Sequence, residues 1–82
     1  MPLKNYTYYN RPVTIPKDYE PMVSLLIGAR LKRELSQEKL AHRIGCTASL
    51  IHKWETHKRI PSGFMLICWL DALGYDVTVT ER

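Results

Sequence analysis

The sequence predicts an all-α domain of four short helices, with an extended arm over residues 1–20 before them and a short β-strand over residues 75–82 after them. Three observations predict it. In Gln37 to Thr56, QEKLAHRIGCTASLIHKWET, Ala41, Gly45, Ile51 and Trp54 stand at the offsets that let two short helices cross tightly. Helix starts and stops recur along the chain, with hydroxyls at Ser36, Thr47 and Ser62 and glycines at Gly45 and Gly74. Prolines crowd the first twenty residues, and β-branched alternation marks the last eight. With 82 residues and 45% hydrophobic content, the chain can build one modest core, in the size range where oligomerisation often adds stability.

The arm interleaves Tyr6, Tyr8, Tyr9 and Tyr19 with Pro2, Pro12, Pro16 and Pro21. Such proline density forbids a long helix, while Tyr6 to Tyr9 and Val13 to Ile15 could pair as short extended pieces or lie across the body of the domain. Helix 1 is expected from about Pro21 to Glu34, with Ile27, Leu31 and Leu35 recurring at i, i+4 and i+8. Ser36 caps helix 2, Glu38 suits its first turn, and the helix ends near Ile44, where Gly45 can take positive φ and turn the chain. Ala41 offers no side chain where the next helix must cross. Thr47 caps helix 3, which runs to about Glu55 and seats on the core through Ile51 and Trp54, three apart on one face. The spacing is that of a helix-turn-helix. Pro61 and Ser62 announce helix 4, which runs to Leu73 and is stopped by Gly74.

Helix 4 is apolar in every direction, from Phe64 through Met65, Leu66, Ile67, Cys68 and Trp69 to Leu70. A helix apolar all round must be buried all round. Four short helices cannot enclose it, so the face of Phe64 and Cys68 meets a second subunit, lies under the tyrosine-rich arm, or forms extra intrachain core. In the segment YDVTVT, Tyr75, Val77 and Val79 alternate with Asp76, Thr78 and Thr80. A single strand leaves its backbone groups unpaired, and pairing with its symmetry mate or with the arm of its own chain would satisfy them. The first alternative makes Phe64, Cys68, Tyr75, Val77 and Val79 a homodimer interface, since an isologous two-strand contact suits a twofold axis.

Net charge is +4, and its distribution says more than its sum. Residues 30–59 carry eight Lys and Arg against Glu34, Glu38 and Glu55, an excess of five, whereas residues 60–82 carry Arg82 against Asp71, Asp76 and Glu81, a deficit of two. Positive charge is concentrated around the helix-turn-helix, as a polyanion partner requires. The two cysteines, Cys46 and Cys68, stand where helical spacing asks for apolar residues and read as small hydrophobes. No signal peptide and no run of roughly 20 apolar residues is visible, so a cytoplasmic protein without a membrane span or disulfide is expected, associated with the nucleoid if it binds DNA. His42, Cys46, His52 and His57 include neither C-x-x-C nor a His pair at i, i+4, so no metal site is expected. There is no glycine-rich phosphate loop. No acid pair or nucleophile–base pair can be assembled without taking residues out of the helical pattern, so no catalytic residue, cofactor or enzyme activity is expected.

The sequence LSQEKLAHRIGCTASLIHKWE, followed by KRIPS and then LDALG, resembles the helix-turn-helix domain of the lambda repressor and Cro (XRE-type) family from about Ile27 to Gly74. The resemblance implies a compact four-helix lambda-repressor-like domain that lays helix 3 in the major groove of double-stranded DNA, usually as a dimer on a palindromic operator. By analogy, Ala48, Ser49 and Lys53 align with base-reading positions, and His52 points outward beside them. Lys53 can donate to guanine O6 and N7, Ser49 can serve either base type, and Ala48 or Leu50 can touch a thymine methyl. His52 is a base contact, a phosphate contact or a solvated side chain. Gln37 and Thr47 sit at helix N-termini suited to phosphate, and Lys58 and Arg59 suit the flanking backbone. Of Arg30, Lys32, Arg33, Lys39 and Arg43, only one or two are expected to approach DNA. Relatives usually carry glycine after the Trp-Glu of helix 3, where this chain has Thr56 and His57.

Two functions follow. One is a sequence-specific DNA-binding transcriptional regulator, most simply a repressor occupying its operator as a homodimer. The other is an antitoxin-like interaction module that engages a protein partner through its arm or helix 4 and binds DNA secondarily.

Overall fold

In the computed structural model the backbone is described for residues 5–8 and 11–82, and side chains from Ile15 onward. A β-hairpin opens the chain, β1 Asn5–Tyr8 and β2 Arg11–Thr14, paired antiparallel with Tyr6 opposite Val13 and Thr7 opposite Pro12. Four helices follow: α1 Tyr19–Lys32, α2 Gln37–Ile44, α3 Ala48–Glu55 and α4 Gly63–Ala72. The short extended pieces foreseen at Tyr6 to Tyr9 and Val13 to Ile15 therefore meet each other. How Tyr9 is placed lies outside the described residues.

Three hydroxyls start three of the helices as expected. Ser36 Oγ accepts from Lys39 N at 3.0 Å, Thr47 Oγ1 from Leu50 N at 3.2 Å and Ser62 Oγ from Met65 N at 3.1 Å. Each satisfies one amide that has no intrahelical partner. α1 begins two residues before Pro21, which fits because a proline in the first turn gives up only an N–H that the helix leaves unused.

All four helices stop the same way, on a residue with left-handed backbone: Glu34 (φ 56°), Gly45 (φ 91°), His57 (φ 61°) and Gly74 (φ 84°). Behind each, the next amide reaches back five residues, Leu35 to Arg30 O, Cys46 to Ala41 O, Lys58 to Lys53 O and Tyr75 to Leu70 O, closing carbonyls that the helix end would otherwise orphan. Glycine carries this conformation at two ends without penalty; glutamate and histidine carry it at the other two against their steric preference.

α2 packs on α3 and on α4, and α1 packs on α3, around Val23, Leu26, Ala29, Leu40, Ala41, Ile51, Trp54, Trp69 and Leu73. Ala41 is almost fully buried at the α2–α3 crossing, and Ile51 and Trp54 form the inner face of α3 as the spacing predicted. Trp54 stacks on Trp69 of α4, ring centroids 5.3 Å apart at 34°, worth roughly 1 kcal/mol beyond the area removed from water.

Three expectations are corrected. The buried face of α1 is Val23, Leu26 and Ala29, and Leu31 is 60% exposed. α1 carries apolar residues on several sides; of the i, i+4, i+8 run, Ile27 and Leu35 are partly buried against the core and Leu31 is not. The four helices leave helix 4 part-exposed, as expected, but the alternative that its Phe64 face forms extra intrachain core is removed: only Trp69 is fully enclosed, and Phe64 and Ile67 stand 78% and 47% exposed. Third, residues 75–82 form no strand, because their backbone meets no strand partner among the described residues.

Candidate nucleic-acid interface

α3 is held at both ends by its own backbone chemistry. Thr47 fixes its start, and at its finish the Lys53 carbonyl receives both Lys58 N at 2.8 Å and Arg59 N at 3.2 Å. His52 O receives Thr56 N at 3.0 Å and Thr56 Oγ1 at 2.7 Å. The basic loop after α3 is thus anchored to the helix itself. The turn that lacks the usual glycine keeps its shape because His57 adopts the left-handed conformation, its ring 6.1 Å from that of Tyr19.

With Ile51 and Trp54 inward, α3 presents Ser49 and His52 exposed and Ala48 and Lys53 half-buried at the edges of the same surface. Leu50 is half-buried and packs against the core, which leaves Ala48 as the apolar group on that surface. Thr47, Lys58 and Arg59 are exposed.

Gln37 is half-buried at the start of α2 and donates through Nε2 to Glu55 Oε1 at 3.0 Å. Glu55 in turn receives Arg30 through Nε on Oε2 at 2.8 Å and Nη2 on Oε1 at 2.9 Å, and Arg30 Nη1 donates to Leu35 O at 2.9 Å. One guanidinium therefore joins α1, the α1–α2 turn and the end of α3, with Gln37 tied in from α2. Sequence reasoning missed this cluster. Its members stand up to 25 residues apart, and no local periodicity links Arg30 to Glu55.

The remaining cations divide in two. Arg33 Nη1 donates to Ala29 O at 3.2 Å and its guanidinium lies 5.9 Å from the Tyr75 ring centroid, while Arg43 Nη1 reaches Ala72 O at 3.4 Å. Arg30 is enclosed by its contacts, whereas Arg33 and Arg43 make theirs from exposed positions. Lys32 and Lys39 stand exposed at the surface.

The residues expected at a subunit interface are dispersed differently. Tyr75 is half-buried against α1 and Arg33, Cys68 is half-buried, and Phe64, Val77 and Val79 are exposed. Burial pushes the Cys46 thiol above its ordinary range, in keeping with a side chain that packs against the core. Among the described residues, no three His, Cys, Asp or Glu side chains gather to hold a metal ion, and no helix is long and apolar enough to cross a membrane.

A family model described as Helix-turn-helix matches residues 26–79, more than half of the chain. No curated protein and no solved structure matches it.

Proposed function

Because the chain belongs to the XRE, or lambda repressor-type, helix-turn-helix family of DNA-binding transcription regulators, we propose that it is a repressor that occupies a palindromic operator as a homodimer. α3 enters the major groove. Ala48, Ser49, His52 and Lys53 read base edges, while Gln37, Thr47, Lys58 and Arg59 hold the phosphates on either side.

The observation that carries this reading is the pair of bonds from Lys58 N and Arg59 N to the carbonyl of Lys53. They fix the backbone of the two loop cations relative to a residue on the outward surface of α3, which supports a reading in which phosphate and base contacts are made from one unit. Gln37 keeps a free acceptor oxygen and one amide hydrogen while held on Glu55, so it can serve the phosphate with its orientation already determined.

The homodimer draws support from Phe64 and Ile67, which form an uncovered apolar edge on α4, and from the exposed Val77 and Val79 beyond it. In this reading the arm expected over residues 1–20 ends at Asp18, just before α1 begins, residues 19–74 form the DNA-binding domain, and 75–82 the dimerising segment. The same α4 edge supports a second reading, in which an antitoxin-like protein buries it against a protein partner and DNA binding is secondary.

Selection of random-library DNA by the purified protein tests the first reading, followed by titration of the winner and of random duplex at two salt concentrations. The expected result is a palindrome with half-sites about one helical turn apart, bound at least 10³-fold more tightly than random DNA. Weak, salt-sensitive binding with no enriched sequence would overturn it and favour the second.

A further inference from the structure

The hairpin has two outer edges, and they are not alike. Pro12 lies opposite Thr7 in the ladder, and proline has no N–H to give. It can hold that position only where its nitrogen faces away from β1, so the outer edge of β2 lacks a donor at its centre. Thr7 and Asn5 occupy the matching positions on β1, Asn5 opposite Thr14, and there the backbone N–H and C=O groups both turn outward. β1 therefore offers an open edge and β2 a blunted one. Two strands of four residues are marginal alone, and a third strand is what such a ribbon lacks.

The chain contains a segment of matching character. Residues 76–80, DVTVT, are rich in β-branched residues but join no strand among the described residues, and Val79 is 93% exposed. Thr80 and Arg82 line one groove with Pro16, Lys17 and Asp18, the residues that follow β2. The tail of a chain thus runs beside the exit of its own blunted strand, while the open edge lies on the other side of the ribbon.

We propose that residues 76–80 of a second copy add as a third strand to the outer edge of β1, each copy giving its tail and receiving the other's. The exchange is reciprocal, so the two copies close on a twofold axis as a dimer. It replaces the pairing of the two tails with each other, and it rests on the homodimer reading above.

The test is the molar mass of the full-length protein by light scattering over a dilution series, for wild type and three proline variants. Thr7→Pro removes the outward donor of β1, Val77→Pro breaks the tail, and Thr14→Pro burdens the hairpin equally at the edge that Pro12 already blunts. Wild type and Thr14→Pro are expected to dimerise alike, with Thr7→Pro and Val77→Pro each at least 10-fold weaker. Mixing Thr7→Pro with Val77→Pro gives heterodimers tighter than either variant alone, because one of the two exchanges then joins an intact tail to an intact edge. Near-ultraviolet circular dichroism from the Trp54–Trp69 pair reports that each variant keeps its core. A Thr7→Pro variant that dimerises like wild type, an equal loss for Thr14→Pro, or a mixture that stays monomeric would overturn the exchange while leaving the homodimer in place. A monomeric wild type would overturn both.

Discussion

Arg30 and Glu55 form a two-donor ion pair across 25 residues of sequence, with side chains only 11% and 6% exposed. It ties the last turn of the helix that carries the outward surface to the first helix of the bundle. A nearly buried charge left without its partner is far costlier than an absent pair. Arg30→Ala is therefore expected to destabilise the fold by about 3 kcal/mol, lowering Tm by roughly 10–20 °C for a domain of this size. Arg30→Met combined with Glu55→Leu should recover at least half of that. Thermal and urea unfolding measure both, and a single-variant loss under about 1 kcal/mol would show the pair to be a weak surface contact.

Glu34 is exposed and sits at φ 56°, a conformation that costs an L residue about 1 kcal/mol and glycine almost nothing. Glu34→Gly should stabilise the protein by about 0.5–1 kcal/mol even though it removes a side chain and adds no contact. The converse holds at Gly45, φ 91°, where an added Cβ meets nothing within 4 Å. Gly45→Ala should destabilise by about 1 kcal/mol through backbone strain alone. Equilibrium unfolding in urea at constant m-value decides both, and a destabilised Glu34→Gly would count against the strain.

Thr47 has two assignments that one variant separates. Loss of its cap in Thr47→Ala should destabilise by about 1 kcal/mol. Thr47→Ser keeps a hydroxyl acceptor, so it should hold both stability and DNA affinity. If Thr47→Ala loses stability while DNA affinity at saturating folded protein is unchanged, Thr47 caps the helix and makes no phosphate contact.

Lys53→Ala should weaken operator binding by about 1–3 kcal/mol and relax the preference at one base pair. Arg59→Ala should weaken operator and random DNA alike and reduce the salt dependence by about one phosphate contact. Titrations against both duplexes at two salt concentrations separate the roles. Equal losses on operator and random DNA for Lys53→Ala would remove it from base reading.

Phe64 is 78% exposed, so Phe64→Ser should leave unfolding stability within about 0.5 kcal/mol. If α4 meets a second copy, the same change should raise the dimer dissociation constant at least 10-fold, read by sedimentation. An unchanged constant would direct attention from α4 to the hairpin and tail.

The helix-turn-helix was legible because its determinants are local. Ser36, Thr47 and Ser62 cap through amides three residues ahead, and Gly45 and Gly74 turn the chain where they stand, so each can be read from a short window. Ile51 and Trp54 identified the inner face of α3 because His52, Lys53 and Glu55 around them are polar. The same reasoning was weaker on α1, where apolar residues on several sides remove the contrast that periodicity needs and Leu31 stands exposed, and on α4 it left open which cover the Phe64 face takes. Glu34 and His57 hid their left-handed role because neither residue type signals it.

Taken alone, the sequence determined where helices start and stop, which residues line the α2–α3 crossing, and that positive charge gathers there. All of these depend on neighbours within one or two turns. Only the tertiary structure decided that Arg30, Gln37 and Glu55 meet, that Val23, Leu26 and Ala29 face inward in place of Leu31, that Phe64 stays in solvent, and that residues 75–82 find no strand partner among the described residues. Contacts between distant segments depend on how whole helices dock against one another, and a strand requires a second backbone beside it, which no stretch of its own residues can supply.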